Sequence, residues 1–243
     1  MTRSTLTASL ILLSFPLFLS SCNLLGRRVH GDGNITTQDR AVNDFKNIEV
    51  GGAAKVLVSQ GDQHSVKVEV DENLQQYIEV FQVGNKVVIR QKDGYNVDPT
   101  GDLKIYVTAP VYNDIDVSGA CDIIGQAPIT NPENLEMHIS GAGEIKMEIN
   151  APQITAEITG SGSVNLKGET KSVDIGLSGA ADAHCFDLKA ENTKVDISGA
   201  GSAEVYASVR LDASVGGAGS VKYKGNAEVN EHITGAGSVH KVD

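Results

Sequence analysis

Along the C-terminal half of the chain, apolar and polar residues alternate with period two, and the alternation breaks at regular intervals on a short glycine phrase. The second residue before each central glycine is always aliphatic: Val117, Ile139, Ile158, Leu177, Ile197, Val215 and Ile233. The fourth before it is Ile115, Met137, Ala156, Ile175, Val195 or Ala213, while intervening positions hold residues such as Asp114, Glu136, Thr155 and Lys194. Period two means a strand with one buried face. Beyond the glycine the alternation resumes, with Ile123, Ile145, Val164, Ala183, Ala203, Val221 and Val239 four residues on. Met147, Leu166, Cys185, Val205 and Tyr223 follow at the sixth position. Each phrase is therefore a corner between two strands.

The central glycines are Gly119, Gly141, Gly160, Gly179, Gly199, Gly217 and Gly235, spaced 22, 19, 19, 20, 18 and 18 residues apart. A period of this length marks a stack of like structural units. Bulky side chains do not fit where the chain bends sharply with the same bend above and below, which accounts for Gly and Ala at the corner. The Ser or Thr before the glycine is placed to form a ladder of hydroxyl hydrogen bonds between turns. About five residues remain for a third, shorter side, as in Gly168 to Ser172. The predicted fold is all-β: a single-stranded right-handed parallel β-helix, a solenoid with a narrow aliphatic interior, since right-handed crossovers are strongly favoured.

Residues 44–243 are expected to form one domain. Its part 109–243 supplies about seven repeat coils, and 44–108 supplies an N-terminal cap with the first coil. Val50-Gly51-Gly52-Ala53 is an imperfect copy of the corner phrase, and Ile78 to Val83 with Lys86 to Gln91 reads as a β-hairpin across Gly84-Asn85. A solenoid needs its open ends covered, because unpaired strand edges are aggregation sites. The repeat runs almost to Asp243. The C-terminal coil is thus expected either to stand as a stacking edge guarded by His232, His240, Lys241 and the terminal charge, or to be buried in a homodimer.

Several of these stretches together resemble a known family. The repeated Ile-Ser-Gly-Ala-Gly phrase, Thr108-Ala109-Pro110 and Asn150-Ala151-Pro152 leading into coils, and Gly31-Asp32-Gly33-Asn34-Ile35 followed by Phe45-Lys46-Asn47-Ile48 look like the "putative auto-transporter adhesin, head GIN domain" family. The resemblance covers nearly all of the chain after its leader. It implies an adhesive right-handed β-helix on secreted or lipid-anchored bacterial proteins, and it brings no catalytic residues to carry over.

Residues 1–21 read as a secretory leader. Arg3 precedes an apolar run from Leu6 to Leu19 that is too short for a comfortable membrane span and ends in small residues. Leu19-Ser20-Ser21-Cys22 matches the bacterial lipobox, in which Cys22 receives diacylglycerol and becomes the new N-terminus. Residues 22–43 would then be the lipidated cysteine and a polar tether, with Arg27 and Arg28 near lipid phosphates. Asn23 stands where an Asp would favour inner-membrane retention, so the predicted address is the outer membrane, on either face of it. Without Arg3 the chain keeps 19 basic and 31 acidic residues, a formal charge of −12. Such a surface repels nucleic acid.

Candidate chemistry is confined to outward positions. Asp114, Asp116, Glu136, Glu157, Asp174, Asp196 and Asp212, with His138 and His232, share one face. Carboxylates on adjacent turns, such as Asp114 and Glu136, are placed to hold calcium or to act as acid and base on a glycosidic bond. The alternative is a solvated acidic face that keeps a glycine-rich solenoid soluble. Cys121 and Cys185 lie three turns apart, too far for a disulfide, and Cys185 sits in an inward column as a small hydrophobe. His184 points outward with no histidine beside it, so no metal centre or cofactor is predicted there. A second polar row, from Asp122 and Glu144 to Ser238, pairs no nucleophile with a base. The leading functional expectation is a non-enzymatic envelope lipoprotein presenting its surface to a protein or glycan partner. A polysaccharide lyase or glycoside hydrolase using the acidic face, and a periplasmic structural or signalling module, are the alternatives.

Overall fold

The computed structural model describes residues 26–243, so the predicted leader over 1–21 and the lipidation site Cys22 lie outside the described residues. The chain winds as a parallel β-helix, and the predicted alternation sets its cross-section. The first side of successive turns is formed by Asn47–Gly52, Asp114–Gly119, Leu135–Gly141, 154–160, 173–179, 193–199, Arg210–Gly217 and Glu228–Gly235 in one parallel register. Corner glycine lies on corner glycine throughout. The second side stacks Lys55–Gln60, Asp122–Gly125, 144–148, 163–167, 182–186, Ser202–Tyr206, Ser220–Lys224 and Ser238–Lys241 in the same way.

Inward residues at alternate positions form the core. Ile115, Met137, Ala156, Ile175 and Val195 make one column, and Ile123, Ile145, Val164 and Ala183 another, none of them appreciably exposed. Burial of each Ile or Val is worth on the order of 1.5–3 kcal/mol against its exposed state, so the columns add a large apolar contribution to the cohesion between turns. Cys121 and Cys185 are free and buried; burial pushes their thiols up to about 11 and about 12, leaving them inert core residues.

The corners are held by the main chain. The seven central glycines have φ between 94° and 136°, as does Gly52 at 104°, which adds a corner at the start. At Gly199, an added Cβ would meet the carbonyl oxygen of Gly179, the corner glycine one turn below. The residue after each glycine donates its N–H to that same lower carbonyl, as from Ala200 to Gly179 (2.8 Å) and from Ala218 to Gly199 (2.9 Å). The expected hydroxyl ladder does not form among the described residues. Only Ser118 Oγ makes such a contact, to the carbonyl of Val50 at 3.4 Å. The third side also differs from the expected short link: Glu144–Gly160, Ser163–Gly179 and Asp182–Gly199 are continuous strands, paired through Ile149, Gly168 and Leu188.

At the N-terminal pole, residues 61–113 fold back over the first turn. The predicted hairpin forms, Ile78–Val83 antiparallel to Lys86–Gln91, and its second strand runs parallel beside Asn47–Gly52. Lys104–Ala109 likewise extends the second side next to Lys55–Gln60, with Ser65–Asp71 antiparallel on its outer edge.

The part of the expected 22–43 tether that lies among the described residues, 26–43, is not a free linker but contributes two strands. Arg27–His30 pairs in parallel with Tyr95–Asp98, and Ile35–Arg40 pairs antiparallel with Ser65–Asp71. Hydrophobic patterning gives no hint of this, because both strands are largely exposed and are held by polar contacts. The buried Asp71 carboxylate accepts from Gly33 N–H (2.8 Å), Thr100 N–H (3.0 Å) and Thr100 Oγ1 (2.7 Å). Asn73 binds both Asp32 N–H and the carbonyl of His30.

Candidate binding face

The acidic residues singled out in the sequence do share the outer face of the first side, in two neighbouring ladders. One runs Lys86, Asn47, Asp114, Glu136, Thr155, Asp174, Lys194, Asp212 and Asn230 across the turns. The other runs Glu49, Asp116, His138, Glu157, Gly176, Asp196, Ser214 and His232.

Near the cap, Asp114, Asp116 and His138 bring ligand-type atoms within 4.8 Å of one another. Into this cluster the cap hairpin inserts a residue the sequence reading missed. Lys86 Nζ lies 2.5 Å from Asp116 Oδ2, 3.4 Å from Glu49 Oε2 and 3.7 Å from Asp114 Oδ2. The Asp116 hydrogen bond raises the Lys86 pKa, against the opposing effect of burial, and keeps the ammonium charged. Burial, then the Asp116 charge, raises the Asp114 pKa, and Asp114 Oδ1 is buried without a hydrogen-bond partner.

His138 bridges Glu157 (3.5 Å) and Glu136 (3.9 Å). Asp196 is set apart, paired with Lys194 at 2.5 Å, and Lys194 also reaches Asp174 at 3.3 Å. Lys86 and Lys194 thus both compensate the acidic charge of this face. Calcium takes six to eight oxygens, whereas here an ammonium and an imidazole stand among the carboxylates. What the patch offers is a row of hydrogen-bond acceptors with one lysine among three carboxylates at its cap end.

A second feature lies on the third side, where the sequence suggested only a link. A shallow groove of about 590 Å³ crosses several turns and is lined by Asn150, Glu169, Lys171, Lys189, Glu191 and Tyr206, among others. Glu169 and Lys189 are register partners on adjacent turns. Lys189 instead lies over the Tyr206 ring, 4.2 Å from its centroid, and donates to the carbonyl of Phe186. All four charged side chains are exposed. The groove thus combines an aromatic face, a carboxamide and charges of both signs at the spacing of the turns, about 4.8 Å.

The model of the family described as "Putative auto-transporter adhesin, head GIN domain" matches residues 44–227. Among solved structures, a putative adhesin from Bacteroides fragilis superposes with a TM-score of 0.83 at 21% identity, over 88% of this chain and 100% of that one. A putative adhesin from Parabacteroides distasonis gives a TM-score of 0.72 at 28% identity, over 88% and 100% of the two chains. A second Parabacteroides distasonis protein, described as a putative lipid binding protein, gives 0.76 at 24% identity, over 89% and 100%. No curated protein matches the chain.

Proposed function

This chain belongs to the "Putative auto-transporter adhesin, head GIN domain" family, and from that premise we propose that it is a non-enzymatic envelope lipoprotein whose rigid β-helix presents a surface to a glycan or protein partner. Cys22 carries the lipid anchor in this reading, and Asn23 after it supports an outer-membrane address. The observation that carries the binding role is the third-side groove. A surface that binds hydroxyl-rich or mixed-charge ligands needs convergent donors and acceptors on a scaffold that does not rearrange. Asn150, Glu169, Lys171, Lys189 and Glu191 supply these from strands whose register the core fixes. Tyr206 adds an aromatic ring among them, with the Lys189 ammonium over it.

The test is binding to an immobilised panel of glycans and extracellular proteins, with wild type compared with a Lys171→Glu, Tyr206→Ala double variant. Loss of about tenfold or more in affinity is expected for whichever ligand binds, since central aromatic and charged contacts dominate such interfaces. Binding that survives this change but fails on Asp116→Asn would move the site to the acidic face. Release of oligosaccharide from any glycan would favour the lyase or hydrolase reading instead.

A further inference from the structure

The last described turn differs from the turns before it in what it places in the core columns. Four residues before the corner glycine, the inward column runs Ile48, Ile115, Met137, Ala156, Ile175, Val195 and Ala213, and then Glu231. Six residues after it, the column runs Met147, Leu166, Cys185, Val205 and Tyr223, and then Lys241. Both charged residues are exposed, and Ile233, two residues before the corner glycine, is 38% exposed. The outer edges of Glu228–Gly235 and Ser238–Lys241 pair with no strand among the described residues.

An open edge backed by a core is a template for pairing unless something blunts or covers it. A single inward charge blunts it. Two opposite charges in mirror-image positions do something more specific. Counted from Ala236 at the centre of the corner, Gly235 mirrors Gly237, Thr234 mirrors Ser238, Ile233 mirrors Val239, His232 mirrors His240, and Glu231 mirrors Lys241. At the earlier corners the positions equivalent to Glu231 and Lys241 are apolar pairs, such as Met137 with Met147, Val195 with Val205 and Ala213 with Tyr223. Opposite charge appears where the described stack ends.

We propose that this end is the interface of a homodimer, two copies stacked tail to tail about a two-fold axis through Ala236. Such an axis runs the first-side strand of one copy antiparallel over the second-side strand of the other. Mirror residues differ by an even number, so inward side chains meet inward ones: Ile233 packs on Val239 and Glu231 pairs with Lys241 of the second copy. The same contacts repeat across the axis, as an isologous interface requires. The unpaired strand edges gain hydrogen-bond partners, and the acidic and basic core ends neutralise each other. In the single chain Lys241 Nζ donates to Asn226 Oδ1 at 3.1 Å, a surface contact that is easily exchanged.

Sedimentation velocity of the full chain in detergent reads the outcome. Wild type sediments as a dimer; Glu231→Lys and Lys241→Glu each weaken dimerisation by about tenfold or more, because each sets like charges against each other in the interface. The Glu231→Lys, Lys241→Glu double variant restores the opposite pairing and with it the dimer. Circular dichroism checks that each variant keeps its strands. Wild type that stays monomeric up to on the order of 100 µM, or a dimer indifferent to both single reversals, overturns the proposal. So does a monomeric wild type whose Glu231→Val, Lys241→Val variant associates, which would make the two charges guards of the edge.

Discussion

At the scale of single residues, two glycines in the same stack have opposite requirements. Gly199 has φ 136°, a conformation L side chains rarely adopt, and a Cβ there meets the backbone of Gly179. Gly176 lies on the first side where a Cβ meets only Glu157 Cγ at 3.7 Å, an ordinary contact. Gly199→Ala should therefore lower the denaturant midpoint by the equivalent of roughly 2–3 kcal/mol, the cost of a strained backbone plus a close contact. Gly176→Ala should leave it unchanged or raise it slightly, because alanine narrows the unfolded ensemble. Equal effects at both sites would mean that the corner geometry is not what the glycine phrase encodes.

At the scale of elements, the strand Ile35–Arg40 is fastened to the cap through Asp71. Burial raises the carboxyl pKa, but the hydroxyl and N–H of Thr100 and the N–H of Gly33 outweigh it, and the net shift is downward. A depressed folded-state value means this stabilisation is present above the unfolded-chain value of about 3.9 and is lost as pH falls through the lower folded value. Asp71→Asn turns an acceptor into a donor facing donors. It should cost roughly 2–3 kcal/mol near neutral pH and flatten the acid limb of the stability curve. Hydrogen exchange should localise the loosening to residues 31–40; protection unchanged there would refute the fastening. The same element explains a limit of the sequence. The repeat strands were legible because period two and the glycine spacing are local signals. Ile35–Arg40 faces solvent at most positions, so no apolar stripe announces it. Lys86 escaped for another reason: its place in the acidic cluster depends on a parallel pairing with Asn47, which no local pattern encodes. The third-side groove was hidden because its side chains only converge once several turns are stacked.

At the scale of the whole molecule, the stack has a direction, with the cap at one pole and the Glu228–Lys241 turn at the other. Arg27, the first residue of the first strand, pairs with Tyr95 of the cap. A lipid on Cys22 would be five residues away, and an extended chain covers at most about 3.6 Å per residue. With that anchor the cap pole would be held within roughly 20 Å of the bilayer, and the far pole would stand beyond several further turns at about 4.8 Å each. The lipoprotein reading then makes two linked predictions in one preparation. Wild type fractionates with the outer membrane and Cys22→Ala with the soluble envelope fraction. On vesicles carrying a headgroup quencher, a fluorophore on Asp93→Cys in the cap is quenched more strongly than one on Lys222→Cys near the far pole. Buried Cys121 and Cys185 should not compete for the label, since burial keeps both as thiols. Equal quenching would lay the solenoid flat on the membrane, covering part of its circumference. A tail-to-tail contact between chains on facing surfaces would then be sterically excluded, whereas an upright stack leaves both the third-side groove and the Ala236 corner free to meet a partner.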